Sequence, residues 1–303
     1  MFNKNSKIDD KSLSRLQDFV HTAERANPLD ESFPAFPNND WGRLLNRLVQ
    51  VYRNAISSKY SLDVARAKVT QDYQENIRHK KDLTNNINHE LKTPVSILKG
   101  YLDTIINNPN IDEEQKMVFI HKCYDQVECL SNLLRDMSCL TRMDEASELI
   151  EKEPLDLSPI VAEIVKDLQE SSDNKMEIEN DLPDDIHVVG NKSLLQSIFH
   201  NIIQNSILYS GGTHVVISLD DRNDEELFFS ITDNGCGIEA QHLDRIFERF
   251  YRVDKGRSRK LGGTGLGLSI VKNAIMIHGG TIKAEQVKPS GICFKFNIKI
   301  KAL

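Results

Sequence analysis

The stretch NINHELKTP, residues 86–94, puts a histidine on the polar side of a predicted helix. Apolar residues recur around it at helical spacing, at Leu83, Ile87, Leu91, Val95 and Leu98. Residues three or four apart share a helix face, so this set forms one apolar stripe. His89 lies off the stripe, and Glu90 follows it. An imidazole that faces solvent can act as a nucleophile or proton carrier near neutral pH, although a solvated surface histidine is the commoner case.

Three stretches further along the chain add a second set of polar residues: IFHNIIQNSILYS at 198–210, LFFSITDNGCGI at 227–238 and GGTGLGLSIV at 262–271. Asn201 and Asn205 are four apart and share a helix face. Alternating apolar residues predict a strand that ends at Asp233, where a turn follows. Glycines before a helix allow a close approach to phosphate, whose charge the helix amides favour. A glycine-rich loop alone is weak evidence, but the ordered set is far more specific.

The helical patterns predict an antiparallel pair of long helices. Apolar residues recur from Leu44 to Ile77 at three-, four- and seven-residue steps, as in a coiled-coil seam. The helix that carries His89 extends to about Ile106, and a second helix covers about 117–141 after the turn NNPNID. One hairpin cannot bury both apolar stripes well, whereas two hairpins related by a two-fold axis form a four-helix bundle. The packing therefore predicts a homodimer.

The C-terminal half alternates between helical and strand patterns. The strand candidates are residues 176–180, 187–189, 213–219, 226–232, 281–285 and 292–300. Strands between helices predict an α/β sandwich, with one sheet and helices on one side. The charged residues 143–153 predict a hinge before it. The predicted fold is a helical hairpin that forms a dimeric four-helix bundle, followed by this sandwich. The predicted domains are 1–58 as an N-terminal linker, 59–146 as the hairpin and 147–303 as the sandwich.

Composition argues against several classes of protein. The 303 residues are 39% hydrophobic and 27% charged, which is ordinary for a globular chain of two domains. The net charge of −7 and the lack of a long basic run argue against direct nucleic-acid binding. No stretch approaches the roughly 20 apolar residues of a membrane span, and no signal peptide is predicted. The five cysteines lack CxxC or metal spacing and predict reduced thiols in the cytosol.

These motifs resemble the sequence boxes of sensor histidine kinases in two-component systems. NHELKTP resembles the H box, HNIIQNSILYS the N box, DNGCGI the first glycine box, IFERFYRVD the F box and GGTGLGLSIVK the second glycine box. The resemblance covers roughly residues 60–303 and is greatest to the phosphate-regulon-like branch. It implies a HisKA-type dimerisation domain and a GHKL-type ATP-binding domain. The implied activity is an autokinase that passes a phosphoryl group from its histidine to a response-regulator aspartate.

The resemblance implies three catalytic residues in the first helix of the hairpin. His89 attacks the γ-phosphate of ATP, and Glu90 orients the imidazole and takes its proton. Thr93 fits the family's E-x-x-T pattern, which implies a phosphatase activity toward the phosphorylated regulator. Because Thr93 precedes Pro94, local sterics are an alternative reason for a β-forming residue there.

The resemblance also implies ATP and Mg²⁺ as cofactors. Asp233 accepts a hydrogen bond from the adenine amino group, Asn205 is the Mg²⁺ ligand, and Arg252 meets the γ-phosphate. Asn201 stands where related hydrolases carry a glutamate base. An amide cannot act as a base, so a kinase is favoured over a hydrolase. The other nucleotide-contacting residues that the resemblance implies are Tyr209, Gly235, Gly237, Gly263, Thr264, Gly265, Leu266 and Gly267.

Two positions depart from the family's pattern. Leu208 precedes Tyr209 where the family commonly has Lys or His. One cation directed at phosphate is therefore missing, or is replaced from the basic segment 248–263, a predicted lid. Asn191 follows Gly190 where an acidic residue is usual, which predicts a local helix cap.

Three functions stay open at this point: an active histidine kinase, a non-catalytic ATP-binding dimer, and a hydrolytic ATPase or chaperone of the same superfamily. Asn201 and the phosphoacceptor hairpin disfavour the third. The expected partners are a second copy of the chain and the receiver domain of a separate response regulator. Residues 9–56 resemble the linker after the last membrane span in this branch. The chain is thus expected to be the cytoplasmic part of a bacterial inner-membrane sensor, joined to the membrane through a segment absent from it. His200 and His278 are interpreted as structural.

Overall fold

The computed structural model of the protein describes residues 10–25, 40–145, 147–171, 176–254, 256 and 263–300. Most of the predicted lid after Asp254 lies outside the described residues. The chain divides into two compact units, Met1–Asp82 and Leu83–Leu303. Within the described ranges, no helix is both long enough and apolar enough to cross a membrane.

The first unit is helical where it is described. Helix α1 spans Asp10–Arg25, and helix α2, which spans Asp40–Asn107, begins in this unit. The helical pattern predicted from Leu44 to Ile77 is therefore confirmed. Val51 and Leu62 on this part of α2 are exposed, so the predicted coiled-coil seam has apolar side chains available. The seam itself and the domain boundaries at residues 58 and 146 stay predictions.

The second unit opens with an antiparallel helical hairpin. Its second helix, α3, spans Glu113–Glu145. Tyr101 of α2 stacks on Phe119 of α3 with ring centroids 5.4 Å apart. Cys123 Sγ lies 3.9 Å from the carbonyl oxygen of Leu98. Because one partner moves down the chain as the other moves up, the two helices run in opposite directions. The predicted hairpin is confirmed.

The predicted hinge at residues 143–153 is wrong at both ends. Met143 still belongs to α3 and is only 4% exposed. It continues the apolar spacing of Leu133 and Leu140, and all three pack into the core that the C-terminal domain builds. At the other end, Glu153 already lies in a strand. The connection is shorter than predicted, because α3 continues to Glu145, with Asp144 and Glu145 exposed on its outer side and Met143 buried on its inner side.

Five strands form the main sheet of the C-terminal domain. Their bounds are β2 Glu177–Asp181, β4 His214–Arg222, β5 Glu226–Asp233, β6 Ile282–Gln286 and β7 Ile292–Lys299. They are ordered β2-β4-β5-β7-β6, with β2 parallel to β4 and the other neighbours antiparallel. Each of them lies near a strand that the alternating pattern predicts.

A second sheet of two strands departs from the prediction of one sheet. Strand β1, Glu153–Asp156, pairs antiparallel with β3, His187–Gly190. The assignment of residues 187–189 to the main sheet is therefore wrong, and β1 was not predicted at all. The β1 sequence is EPLD, whose proline and acidic residues are poor strand formers. Its partner comes much later in the chain, so no local pattern indicates the pairing.

Helices cover one face of the main sheet and complete the predicted sandwich. Their bounds are α4 Leu157–Ser171, α5 Lys192–Asn205, the short α6 Ala240–Leu243 and α7 Gly267–Ile277. Phe199 of α5 makes edge contacts with Phe229 of β5 and Phe296 of β7, at centroid distances of 5.6 and 5.7 Å. These rings join the helix layer and the sheet in one core. The close packing of that core fixes α5 relative to β5 and β7.

The ends of α5 and α7 are joined through a buried imidazole. Asn191 caps α5, as predicted, because its Oδ1 accepts a hydrogen bond of 3.1 Å from the Leu194 amide. The Asn191 amide donates to His278 Nε2 at 3.0 Å, and His278 Nδ1 lies 2.7 Å from the Ala274 carbonyl oxygen. His278 therefore carries its proton on Nδ1 and is neutral. Burial lowers the pKa of His278, in keeping with that form. Its structural interpretation is confirmed.

Candidate functional site

A cavity of about 940 Å³ lies between α3 and the C-terminal domain. Its walls are α3, the end of α5, the loop after β5 and the loop before α7. The predicted residues that line it are Asn201, Asn205, Tyr209, Asp233, Gly237, Arg252, Gly263, Thr264, Gly265 and Gly267. Gly235 and Leu266 are buried in the turns beside it. His200 also lines the cavity, so its side chain is available to a ligand and is not a core histidine.

Asp233 is held firmly at the end of β5 and is only 3% exposed. Its Oδ2 accepts a hydrogen bond from the Ser206 hydroxyl at 3.0 Å, and its Oδ1 accepts one from the Gly235 amide at 2.9 Å. A carboxylate oxygen has lone pairs for more than one donor, so an N–H group in the cavity can still bind it. The same geometry therefore lets Asp233 cap the turn and still accept a hydrogen bond from a ligand.

Two glycines stand where the backbone has no room for a side chain or adopts an unusual conformation. Gly265 has a φ of 72°, which glycine adopts at little cost. Its carbonyl oxygen accepts a hydrogen bond of 2.8 Å from the Phe250 amide, which ties the glycine-rich loop to the segment before the predicted lid. At Gly235 a Cβ atom would collide with Ser210. A larger residue there would push the turn after β5 away from the end of α5.

The carboxyl end of α5 presents polar side chains to the cavity. Asn205 ends the helix, and Ser206–Ser210 continue as one π-helical turn that carries Tyr209. Such turns are frequent at functional sites. The Asn201 amide nitrogen donates to a carbonyl of its own helix at 2.8 Å, and its Oδ1 lies against the start of α7, where Gly267 leaves room for it. Burial raises the pKa of Tyr209, so its hydroxyl stays protonated and can donate.

Among the described cations that line the cavity, Arg252 is the most buried, with only 6% of its side chain exposed. Its Nη2 donates to Glu90 Oε2 at 2.9 Å, whereas its buried Nε has no acceptor among the described residues. A buried N–H without an acceptor costs free energy, and phosphate oxygens suit a guanidinium well. Leu208 lines the same cavity without adding charge. The Nε–H group without an acceptor and the cavity of about 940 Å³ therefore suit an anionic ligand that carries phosphate groups.

His89 lies beside this arrangement rather than inside the cavity. Its side chain is 66% exposed, and its Nδ1 is 3.5 Å from Glu90 Oε1. The other oxygen of the same carboxylate contacts Arg252, so Glu90 links the imidazole to the guanidinium. Thr93 donates a hydrogen bond of 3.2 Å to the His89 carbonyl oxygen. His89, Glu90 and Thr93 are not among the described residues that line the cavity.

Known protein families match both the helical hairpin and the C-terminal domain. Residues 79–146 match the His Kinase A (phospho-acceptor) domain, and residues 190–302 match the family described as Histidine kinase-, DNA gyrase B-, and HSP90-like ATPase. The chain belongs to the sensor histidine kinases. The first match contains His89 and the hairpin, and the second contains the walls that the C-terminal domain contributes to the cavity. The predicted resemblance is thereby confirmed.

Two curated relatives that align with most of this chain are sensor proteins of this kind. Sensor histidine kinase WalK of Bacillus subtilis (strain 168) is 31% identical over 227 residues, which are 74% of this chain and 37% of WalK. Phosphate regulon sensor protein PhoR of Haemophilus influenzae is 32% identical over 253 residues, which are 83% of this chain and 58% of PhoR. This sensor histidine kinase chain thus spans less than two thirds of the length of each relative.

Solved structures of histidine kinases share the fold. Acinetobacter baumannii histidine kinase AdeS superposes with a TM-score of 0.58 at 28% identity and covers 70% of this chain and 98% of its own. Histidine kinase ThkA, solved in complex with response regulator protein TrrA, gives a TM-score of 0.60 at 19% identity over 75% of this chain and 64% of its own. Both support a hairpin followed by an α/β sandwich as the fold of this histidine kinase.

Two contacts between the hairpin and the ATP-binding domain of this histidine kinase were not predicted from the sequence. The Thr264 hydroxyl donates to Asp136 Oδ2 on α3 at 2.8 Å. Arg249 makes a two-point ion pair with Asp144 near the end of α3, at 2.8 and 2.6 Å. Burial raises the pKa of Asp136, although its hydrogen bond from Thr264 opposes that shift. Both carboxylates lie on a helix whose outer face is highly charged, where sequence alone suggests solvated groups.

The hydrogen bond from Ser206 to the carboxylate of Asp233 was also not predicted from the sequence. Ser206 directly follows Asn205, within the stretch IFHNIIQNSILYS at 198–210. A small hydroxyl residue next to Asn205, a candidate site residue, is a signal for a supporting hydrogen bond. Only the contact between the end of α5 and the end of β5 identifies the acceptor.

Proposed function

We propose that the chain is an ATP-dependent protein-histidine kinase that phosphorylates His89 and passes the phosphoryl group to an aspartate of a separate response regulator. The observation that carries the proposal is the contact of Glu90 with both His89 and Arg252. It supports the proposal because the arginine that the resemblance assigns to the γ-phosphate is then a neighbour of the histidine. ThkA, a protein of the same fold, is known in complex with a response regulator, which motivates this choice of acceptor.

The cavity suits Mg-ATP by the chemistry of its walls. Asp233 would accept a hydrogen bond from the adenine amino group. Asn205 would supply one oxygen to Mg²⁺, which commonly takes one or two protein ligands and completes its shell with phosphate and water. Arg252 and Thr264 would donate to phosphate oxygens. Asn201 cannot deprotonate water, so the bound nucleotide is protected from a base-assisted hydrolysis.

Phosphoryl transfer then needs alignment more than covalent chemistry. Nε2 of His89 attacks the γ-phosphorus, the bond from phosphorus to the bridging oxygen breaks, and ADP leaves. Nδ1 faces Glu90 at 3.5 Å, so the proton of that nitrogen passes to the carboxylate as the ring is phosphorylated. Because His89 lies outside the cavity, the ATP-binding domain must move toward the imidazole before transfer.

A homodimer is proposed from the apolar surface of the hairpin. The exposed apolar residues of its two helices include Val95, Ile97, Leu102, Ile106, Met117, Val118, Ile120, Tyr124, Val127 and Leu134. Ile106 and Tyr124 are 74% and 64% exposed in the single chain. So many exposed apolar side chains on one helix pair indicate an interface, and a second hairpin offers the complementary surface. A cytoplasmic location, with a link to the inner membrane through a segment outside this chain, stays a prediction from the resemblance.

The kinase assignment is tested by incubating His89→Gln with Mg-ATP labelled on the γ-phosphate. The wild-type chain is expected to take up label that is lost in acid and stable in base, and His89→Gln is expected to take up none. Nucleotide binding by calorimetry and the dimer should survive, because the exposed side chain does not support the core. His121→Gln, which changes an exposed histidine on α3, is the matched control and should label normally. Labelling of His89→Gln at the wild-type rate would show that another residue is the phosphoacceptor. A wild-type chain that binds ATP without labelling would instead be a non-catalytic ATP-binding module.

A phosphatase activity toward the phosphorylated regulator is proposed for Thr93. The half-buried threonine lies one helical turn beyond His89, close enough to share a docked partner. Thr93→Ala is expected to keep autophosphorylation and to slow decay of the phosphorylated regulator in Mg²⁺ and ADP. Thr104→Ala is the matched control, because Thr104 makes the same type of hydroxyl-to-carbonyl bond on the same helix. Equal decay with the wild type and Thr93→Ala would assign Thr93 to helix geometry.

A further inference from the structure

The hydroxyl of Thr264, in the glycine-rich loop, donates its hydrogen bond to a carboxylate of the hairpin. Its Oγ1 donates to Asp136 Oδ2 at 2.8 Å and accepts a hydrogen bond of 3.2 Å from the Leu266 amide. A hydroxyl has one proton to donate. While the contact with Asp136 exists, Thr264 therefore cannot donate to a phosphate oxygen in the same cavity.

Charge adds to this competition. Asp136 is half-buried and lines the cavity in which the phosphates of ATP would lie. Two anionic groups repel each other more strongly where water is partly excluded than at an open surface. Arg135, a described cation that faces Asp136 from the same helix, offsets only part of this repulsion because its side chain is exposed.

We propose that Asp136 is a positioning residue that lowers the affinity for ATP while the hairpin contacts the ATP-binding domain. Its carboxylate and the phosphates of ATP compete for the Thr264 hydroxyl, so the nucleotide binds tightly only when this contact opens. The inference rests on the proposed function, because it assumes that the cavity binds ATP. By linkage, ATP weakens the contact between hairpin and domain by the same factor by which the contact weakens ATP binding.

The test measures nucleotide affinity of the full chain by calorimetry. Asp136→Asn is expected to lower the Kd for Mg-ATP by at least about fivefold, the lower end of typical coupling between sites. The Kd for adenosine should not change, because adenosine lacks the phosphates that compete for Thr264. Asp136→Ala is measured alongside, so that a folding defect in one variant does not decide the result. Asp125→Asn is the matched control, since Asp125 lies on the same helix and lines the same cavity.

A second comparison tests whether Asp136 acts through Thr264. In a Thr264→Val background, the gain in Mg-ATP affinity from Asp136→Asn should fall to less than half. An unchanged or weaker Mg-ATP affinity of both Asp136 variants would overturn the proposal. An equal gain in the Thr264→Val background, or an equal gain from Asp125→Asn, would overturn it as well. A wild-type chain that binds no Mg-ATP would contradict the proposed function itself, which separates the two failures.

Discussion

Ser206 shows how one hydroxyl can set the precision of a binding site. Asp233 is buried at the end of β5, and a buried carboxylate needs hydrogen-bond donors to be stable there. The Ser206 hydroxyl and the Gly235 amide each supply one, on different oxygens. The two donors fix the carboxylate in rotation as well as in position. The carboxylate is therefore a pre-oriented acceptor, which is what the proposed recognition of the adenine amino group requires.

Ser206→Ala is expected to weaken both ATP binding and folding. Removal of the hydroxyl leaves Asp233 with one fewer donor, which should lower stability by about 1–3 kcal/mol and ATP affinity several-fold. Calorimetry with Mg-ATP and urea denaturation measure the two effects. Ser197→Ala is the control, because its hydroxyl bonds to a carbonyl of the same helix and has no contact with Asp233. Wild-type affinity in Ser206→Ala would show that β5 alone positions the carboxylate.

Residue chemistry was predictable where a motif fixes the neighbours of a side chain. His89 could be placed on a polar helix face and Asp233 at a strand end, because both positions follow from local periodicity. Asp136 and Asp144 could not be singled out. Their roles depend on contacts with Thr264 and Arg249, which lie far away in the chain. Sequence periodicity shows which face of a helix is polar, but not which polar residue meets a partner.

At the scale of elements, one imidazole fastens two helices of the sandwich. His278 accepts a hydrogen bond from the amide that starts α5 and donates one near the end of α7. Both bonds require the neutral ring, since Nε2 must accept while Nδ1 donates. The glycine-rich loop precedes α7, and Asn201 and Asn205 lie on α5. The imidazole thus helps to hold two walls of the cavity at a fixed distance.

This arrangement predicts a loss of stability in mild acid. The imidazole has an unperturbed pKa of 6.5, and burial lowers it in the folded chain. Below about pH 6.5 the unfolded chain therefore binds a proton that the folded chain does not, and stability falls as the pH drops toward the folded pKa. Urea denaturation between pH 7.5 and 5 should show a steeper decline for the wild type than for His278→Gln. His121→Gln, at an exposed site, should keep the wild-type slope.

The prediction of elements succeeded where apolar periodicity is long and failed where pairing is non-local. The hairpin and the five strands of the main sheet follow from runs of apolar residues with a clear period. Strand β1 has four residues and depends on β3 for its existence. The prediction of a hinge was wrong because the charged residues at the end of α3 are on its outer side, whereas Met143 is buried on its inner side. Amphipathic helix ends near a domain boundary are easily mistaken for linkers.

For the whole molecule, the decisive feature is that the hairpin holds the ATP-binding domain through polar contacts as well as apolar ones. Glu90, Asp136 and Asp144 are all carboxylates of the hairpin. Their partners are two arginines and a threonine of the ATP-binding domain. The Arg249–Asp144 pair is partly exposed, and ion pairs of that kind are individually weak, so this part of the contact can open at little cost.

The Arg249–Asp144 pair is predicted to contribute about 0.5–1 kcal/mol to this contact at low salt and less at high salt. Arg249→Asp should raise the radius of gyration measured by small-angle scattering. The double exchange Arg249→Asp with Asp144→Arg should restore part of the compact form. Arg245→Asp is the control, because Arg245 pairs with Glu248 inside the ATP-binding domain. Equal expansion in Arg245→Asp would mean that the effect is a local loosening of the domain.

The position of β5 at the middle of the main sheet has a consequence for amide exchange with deuterated water. Its backbone is paired on both sides, with β4 and with β7, whereas β2 and β6 are edge strands. The amides of β5 should therefore be among the slowest to exchange in the domain. Asp233 ends this strand, while Arg252 and Thr264 lie in loops. Nucleotide should leave exchange in β5 almost unchanged and slow it in those loops. The base of the proposed ATP would then be bound at the slowest-exchanging strand of the domain, and its phosphates by loops that exchange faster.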